Sequence, residues 1–218
     1  MDGGAGGDSL LGGSGDDLYV VDNIADRIIE NAGAGTDTVR ASVTWTLGDN
    51  LENLTLSGSG AINGAGNAGN NILTGNPGAN TLLGGAGDDL YLVAPGDTVS
   101  ETNGGGTDVL GVSLRGVPGL AAAIQNGLDS LSDLSCVKIN SGRDLRINFP
   151  INGAASRGSV TVTGMANGPI ETLRLYDVAG VQVGQDIDLT SAWAATGTTV
   201  TRLQTTTPGT YGLLVAPA

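Results

Sequence analysis

The sequence predicts an all-β chain: a right-handed parallel β-roll over residues 1–111, then a small, mainly antiparallel β domain with a capping helix over residues 112–188, and a C-terminal segment over residues 189–218. Three observations predict it. A nine-residue pattern GGxGxDxUx, with U large and apolar, appears as GGAGGDSLL at residues 3–11, GGSGDDLYV at 12–20 and GGAGDDLYL at 84–92. A fixed period, with two copies in tandem, marks a solenoid in which each repeat supplies one turn and one strand. The 218 residues include 38 glycines but only seven aromatics, which suits stacked turns better than an ordinary globular core. Charge is also uneven. Residues 1–110 carry 15 Asp and Glu against Arg27 and Arg40, a net of −13, whereas residues 111–218 carry seven acids and seven bases.

The repeat has a direct physical reading. Glycines at positions 1, 2 and 4 let the backbone turn through conformations that a Cβ would forbid, and leave its carbonyl oxygens open to a ligand. An Asp at position 6 adds a carboxylate, and hard oxygen donors of these two kinds are what Ca²⁺ prefers. Positions 7 to 9 form a short strand whose middle residue, Leu10, Tyr19 or Tyr91, points inward. Two nonapeptides make one flat coil, so turns n and n+2 lie on the same edge and can share an ion. A uniformly acidic half repels itself unless cations neutralise it. The same acidity argues against binding nucleic acid or an anionic membrane.

On these glycine turns and position-6 acids, the chain resembles the RTX (repeats-in-toxin), haemolysin-type calcium-binding module of proteins exported by type I secretion. The resemblance implies Ca²⁺ as cofactor, folding outside the cell, and the type I secretion apparatus as partner.

Met1 and Asp2 fall at positions 8 and 9 of a repeat, so the chain is expected to be the C-terminal part of a longer protein, entering in mid-roll. After Val20 the pattern weakens but the register continues. Asp26 and Ile28 hold positions 6 and 8 of the next block, and after a two-residue slip AGAGTDTVR at residues 32–40 restores the pattern with Asp37 at position 6. The n+2 spacing pairs Asp8 with Asp26 and Asp17 with Asp37 as the first two candidate calcium sites. An isolated Asp in a glycine-rich turn ordinarily bonds its own backbone; pairs stacked at a fixed spacing point to a metal.

Residues 41–65 lack acidic turns. Val43, Trp45 and Leu47 alternate with polar residues as a half-buried strand does, and position 6 is read as Asn53, Ile62, Asn71, Asn80 and Asp89. Asn offers a carbonyl oxygen without charge, so the turns at residues 66–71 and 75–80 are expected to stack by hydrogen bonding. Asn71 and Asn80 would be at most weak calcium ligands. The acidic pattern then repeats: residues 16–39 and 88–110 align with one deletion, and Asp17 and Asp89 stand 72 residues apart, eight nonapeptides. This internal duplication pairs Asp89 with Asp108 and sets Asp97 over Asn80. The candidate ligands are therefore Asp8, Asp17, Asp26, Asp37, Asp89, Asp97 and Asp108, with the turn glycines Gly13, Gly15, Gly85, Gly87, Gly104 and Gly106. Glu30 and Glu101 hold equivalent places for an outer ligand.

Composition changes at Gly111. Leu120, Ile124, Leu128, Leu131 and Leu134 follow helical spacing behind Pro118, which predicts a helix capping the roll's exposed end. Short alternating runs then predict strands at residues 136–140, 144–149, 159–164, 170–177 and 181–189. Three of these resemble the small domain that follows the repeats in haemolysin-type proteins. The last thirty residues carry one charge, Arg202, and end in GLLVAPA. They look like a type I secretion signal, and equally suit a final strand of the small domain.

Catalysis has no visible seat. There is no His and no GxSxG, and Cys136 is the single cysteine, which excludes an intrachain disulfide and the usual triads. No run approaches the ~20 apolar residues of a membrane helix. Two functions fit: a non-catalytic, calcium-folded module that supports export of a larger extracellular protein, or a structural or adhesive module contacting a cell surface or polysaccharide.

Overall fold

The computed structural model describes residues 1–101, 106–113, 135–139, 144–148, 159–163, 170–176, 182, 187–188, 201–207 and 210–215. Among these residues every regular element is a β-strand. In chain order they are β1 (Ser9–Leu11), β2 (Leu18–Val21), β3 (Arg27–Ile29), β4 (Thr38–Ala41), β5 (Trp45–Thr46), β6 (Asn53–Leu56), β7 (Gly64–Ala65), β8 (Ile72–Thr74), β9 (Thr81–Leu83) and β10 (Leu90–Val93). There follow β11 (Thr98–Ser100), β12 (Asp108–Ser113), β13 (Ser135–Ile139), β14 (Asp144–Asn148), β15 (Ser159–Thr163), β16 (Ile170–Tyr176), β17 (Ile187–Asp188), β18 (Thr201–Thr207) and β19 (Thr210–Val215).

Because each nonapeptide holds one strand and two make a coil, successive strands alternate between two faces. The even strands β2 to β12 pair in parallel on one face, and the odd strands β5 to β11 pair in parallel on the other. On the second face β1 and β3 form a separate sheet of two. This is a parallel β-roll.

The core lies between the two faces. The register stacks Tyr19, Val39, Leu54, Leu73, Tyr91 and Leu110 in one inward column, all buried. The facing column runs Trp45, Gly64, Leu82 and Val99. Gly64 is dictated by packing, since a Cβ there would lie 2.9 Å from one Leu54 methyl and 3.2 Å from one of Leu82. Flanking strand residues alternate outward, which leaves Leu11, Leu18, Ile29 and Ile72 exposed. Each inward leucine contributes about 1.5–3 kcal/mol of burial, spread along a stack in which a coil touches mainly its neighbours.

One register differs from expectation. Leu54, not Thr55, pairs with Val39 and Leu73, so position 6 of that repeat is Glu52 rather than Asn53. Ile62 keeps its place, two residues before Gly64, and the repeat between them carries one extra residue. The inward demand of Leu54 overrides the nine-residue count.

The roll does not stop where composition changes. β15 pairs in parallel with β11, and β16 in parallel with β12, so the C-terminal region extends both faces. Around them the pairs β13 with β14, β14 with β15, β16 with β17 and β18 with β19 are antiparallel, as expected. Within residues 181–189 the described strand is β17, and within 189–218 β18 and β19 form a hairpin. The predicted capping helix falls outside the described residues. Among the described residues no helix is long and apolar enough to cross a membrane.

Replacing Leu73, fully buried at mid-column, by Ala should cost about 2–5 kcal/mol through lost transfer and a cavity that β-strand neighbours cannot collapse to fill. Denaturant unfolding at saturating Ca²⁺ measures it, with the exposed Ile72→Ala as a control expected to cost under about 1 kcal/mol.

Candidate metal centres

The turns at the roll's edges follow from glycine. Gly13 and Gly15 have φ of 96° and 102°, Gly85 and Gly87 have 112° and 97°, and Gly106 has 121°. Gly104 lies outside the described residues. Position 1 is constrained by space instead: a Cβ at Gly12 would run into the Tyr19 hydroxyl and the carboxylates of Asp17 and Glu30. The turn is thus folded tightly over a cluster of oxygens.

A ladder joins the position-6 side chains of successive coils. The Asp17 N–H donates to Asp37 Oδ1 (2.8 Å), and the Asp37 N–H donates to Glu52 Oε2 (2.7 Å). At the far end the Asn71 N–H donates to Asp89 Oδ1 (2.8 Å), the Asp89 N–H to Asp108 Oδ1 (2.9 Å), and the Asp108 N–H to Glu171 Oε2 (2.7 Å). Asp37, Glu52, Asp89, Asp108 and Glu171 therefore each spend one oxygen holding the coil before them. One oxygen each of Asp17, Asp37 and Asp89, and of Asp8 on the other edge, is buried and accepts nothing from the protein. A buried carboxylate oxygen without a donor costs several kcal/mol unless a cation or a proton meets it.

Three carboxylates converge in each of two equivalent clusters. Carboxylate oxygens of Asp17, Glu30 and Asp37 lie within 4.8 Å of one another, and so do those of Asp89, Glu101 and Asp108. Each Glu is held by a phenol from the core column: the Tyr19 hydroxyl donates to Glu30 Oε2, and the Tyr91 hydroxyl to Glu101 Oε1. The second cluster is the more enclosed, with Asp89 2 %, Glu101 5 % and Asp108 1 % exposed. Burial, reinforced by the neighbouring acids Asp108 and Asp88, pushes the Asp89 carboxyl up to about 7 against an opposing backbone hydrogen bond from Asn71. Burial likewise raises Asp108 to about 6, with Glu171 and Asp88 adding to it and the Asp89 N–H opposing. Burial and the Glu101 charge raise Tyr91. Three acids so placed suit a hard divalent cation with oxygen ligands.

The other edge is built differently. The Asp8 N–H donates to Asp26 Oδ1 (3.0 Å), while Asp26 Oδ2 accepts from the N–H groups of Asp22 (3.3 Å) and Asn23 (3.2 Å). The Asn80 N–H donates to Asp97 Oδ1 (2.9 Å), and Asp97 Oδ2 accepts from the Ala94 N–H (2.8 Å). Asp26 and Asp97 thus stand opposite their predicted partners, but each commits its second oxygen to its own turn. Burial raises the Asp97 carboxyl. Asn71 and Asn80 lie in the same two stacks.

Sequence reasoning missed Glu52 and Glu171, which close the acidic stacks after Asp37 and after Asp108. An acid two residues before an inward apolar residue was the available signal: Glu52 before Leu54, Glu171 before Leu173, as with Asp37 before Val39.

Comparisons with known proteins agree with this edge chemistry. The family described as RTX calcium-binding nonapeptide repeat (4 copies) matches residues 1–22 and 65–97. Endo-1,3-1,4-beta-glycanase ExsH of Rhizobium meliloti (strain 1021) is 42 % identical over 65 residues, 30 % of this chain and 14 % of that protein. Endo-1,3-1,4-beta-glycanase EglC of the same organism is 37 % identical over 66 residues, again 30 % of this chain and 14 % of that protein. The similarity therefore spans about a seventh of either glycanase.

The raised carboxyls set a pH dependence. From the ordinary value of 3.8 up to about 7 for Asp89 and about 6 for Asp108, the ion-free fold holds more protons than the unfolded chain. Its stability is therefore lost as pH rises through that window. In chelator, the thermal midpoint should be higher at pH 5.5 than at pH 8. With saturating Ca²⁺ the order should reverse, because only deprotonated carboxylates bind the ion.

Proposed function

From the premise that this chain carries RTX calcium-binding nonapeptide repeats at residues 1–22 and 65–97, we propose that it is a module that folds on Ca²⁺ outside the cell and supports type I export of a larger protein, without catalysing a reaction itself. The observation that carries this is the pair of three-carboxylate clusters, the half-buried Asp17 and Glu30 with the buried Asp37, and the buried Asp89, Glu101 and Asp108. In each, the two aspartates and the turn carbonyls would hold the ion. The Tyr-anchored glutamate would supply the third carboxylate. The pairs Asp8 with Asp26 and Asn80 with Asp97 would be weaker sites, because Asp26 and Asp97 already satisfy their oxygens with backbone donors.

The mechanism is linkage. Extracellular calcium modules have affinities of roughly 10⁻⁴ to 10⁻³ M, far above free cytosolic Ca²⁺, so the acidic coils stay unpaired and threadable inside the cell. Outside, binding to the folded state alone adds RT ln(1 + [L]/Kd) per site to stability. Mg²⁺ substitutes poorly because it requires tight octahedral geometry and keeps its waters. The similarity to two proteins named as glycanases supports a parent that acts on or beside a polysaccharide, with this module as its folding and export device.

Two outcomes test the reading. Chelator should strip much of the β signal in circular dichroism, and millimolar Ca²⁺ but not Mg²⁺ should restore it; an unchanged spectrum refutes calcium folding. Within that experiment, Asp37→Asn or Glu101→Gln should each weaken calcium binding about tenfold to a hundredfold, the scale of one lost charge-assisted contact of about 1.5–3 kcal/mol. The double change Asp17→Asn with Asp37→Asn should cost less than the sum, because both act on one ion. In an export assay, deleting residues 189–218 should abolish secretion through a type I exporter while leaving calcium titration of residues 1–113 intact. Normal secretion of the truncated chain would exclude that segment as the signal.

A further inference from the structure

The middle of the roll has the same stacked turns as its ends but bridges them with side-chain amides. Asn67, at position 2 of its turn, donates from Nδ2 to the carbonyl oxygens of Gly48 (2.7 Å) and Leu51 (2.7 Å) in the preceding coil. Asn71, at position 6, donates from Nδ2 to Leu51 O (3.1 Å) and Glu52 O (3.3 Å). On the opposite edge Asn76 donates from Nδ2 to Ser57 O (3.0 Å) and Gly60 O (3.0 Å), and Asn80 to Ile62 O (2.6 Å). Each turn also closes on itself, since Asn71 Oδ1 accepts from the Asn67 N–H (2.8 Å) and Asn80 Oδ1 from the Asn76 N–H (2.8 Å).

Position 2 distinguishes the two kinds of turn. At the ends it is Gly13 or Gly85, with φ of 96° and 112°. In the middle it is Asn67 or Asn76, neither of which takes a positive φ. An ordinary φ admits a residue with a Cβ, and the asparagine side chain reaches the carbonyl row of the coil before. An amide nitrogen brings two N–H donors, so it satisfies two carbonyl oxygens at once, as an ion between coils would. It does so without a net charge and without needing a carboxylate to neutralise it.

We propose that Asn67 and Asn76 are the specificity-determining residues that make these two turns independent of cations: their amides take the place of the bridging ion. The roll then consists of two cation-dependent ends joined by a cation-independent centre over residues 51–83, which stays ordered when calcium is withdrawn and serves as the template on which both ends re-form. This goes beyond the calcium-folding reading and rests on it only for the behaviour of the ends.

Hydrogen–deuterium exchange of the full chain, in chelator and in millimolar Ca²⁺, tests it. In chelator, amides of Leu54 to Leu83 should exchange at least tenfold more slowly than those of β2, β4, β10 and β12, and Ca²⁺ should slow only the latter group. The double variant Asn67→Gly with Asn76→Gly should lose that central protection tenfold or more in chelator and regain it in Ca²⁺. Central amides exchanging as fast as the ends in the unmodified chain would overturn the proposal. So would a double variant that exchanges like the unmodified chain in chelator. Ends that stay protected in chelator would count against calcium folding, and the double variant would still decide the role of the two asparagines.

Discussion

In a parallel roll, every coil turns a row of backbone carbonyls and position-6 side chains toward the next coil, and no helix or antiparallel partner satisfies them there. The whole architecture depends on what fills that gap. A buried acceptor without a donor is costly, so each turn needs a source of positive charge or an N–H. This chain uses both. Position-6 N–H groups reach forward to the next carboxylate along the stack, asparagine amides reach back to the previous coil, and where both run out one oxygen each of Asp8, Asp17, Asp37 and Asp89 is left buried. The hydrophobic columns set the spacing between coils, and the edge chemistry decides under which conditions that spacing is tolerable.

Much of this was legible in the chain itself. The nine-residue period, read at Asp8, Asp17, Asp37, Asp89 and Asp108, assigned the coil edges correctly, because a glycine turn and an inward Leu or Tyr leave little choice of register. The pairing of Asp17 with Asp37 and of Asp89 with Asp108 in adjacent coils followed from the glycine turn that recurs before each acid, two residues and one residue out of the strict count. The count failed where the GGxGxD turn disappears. Across residues 48–62 glycines are present but no such turn pins the phase, and Leu54 takes the inward place that the period gave to Thr55. A one-residue slip there moved the acid from view, and Glu52 was read as a neighbour of position 6 instead of its occupant.

Two further features lie beyond what spacing reports. The phenols of Tyr19 and Tyr91 count as core residues by pattern, yet their hydroxyls extend to the edge and fix Glu30 and Glu101; a side chain with an apolar body and a polar tip serves both places. The continuation of both faces through β15 and β16 crosses long sequence separations, and the alternation of those strands says only that one side of each is buried. Parallel pairing to a roll and antiparallel pairing within a separate domain present the same pattern.

The two faces of the roll differ in continuity. One is a single ladder from β2 through β12 to β16, while the other is divided between β3 and β5, so that β1 and β3 stand as a sheet of two. Tension applied along the stack is carried rung to rung by backbone hydrogen bonds on the first face and interrupted on the second. The first two coils, joined to each other on both faces, are accordingly fastened to the third along one side, like pages in a binding, and load on the N-terminal side of the roll will open them together about that side before it disturbs the coils beyond.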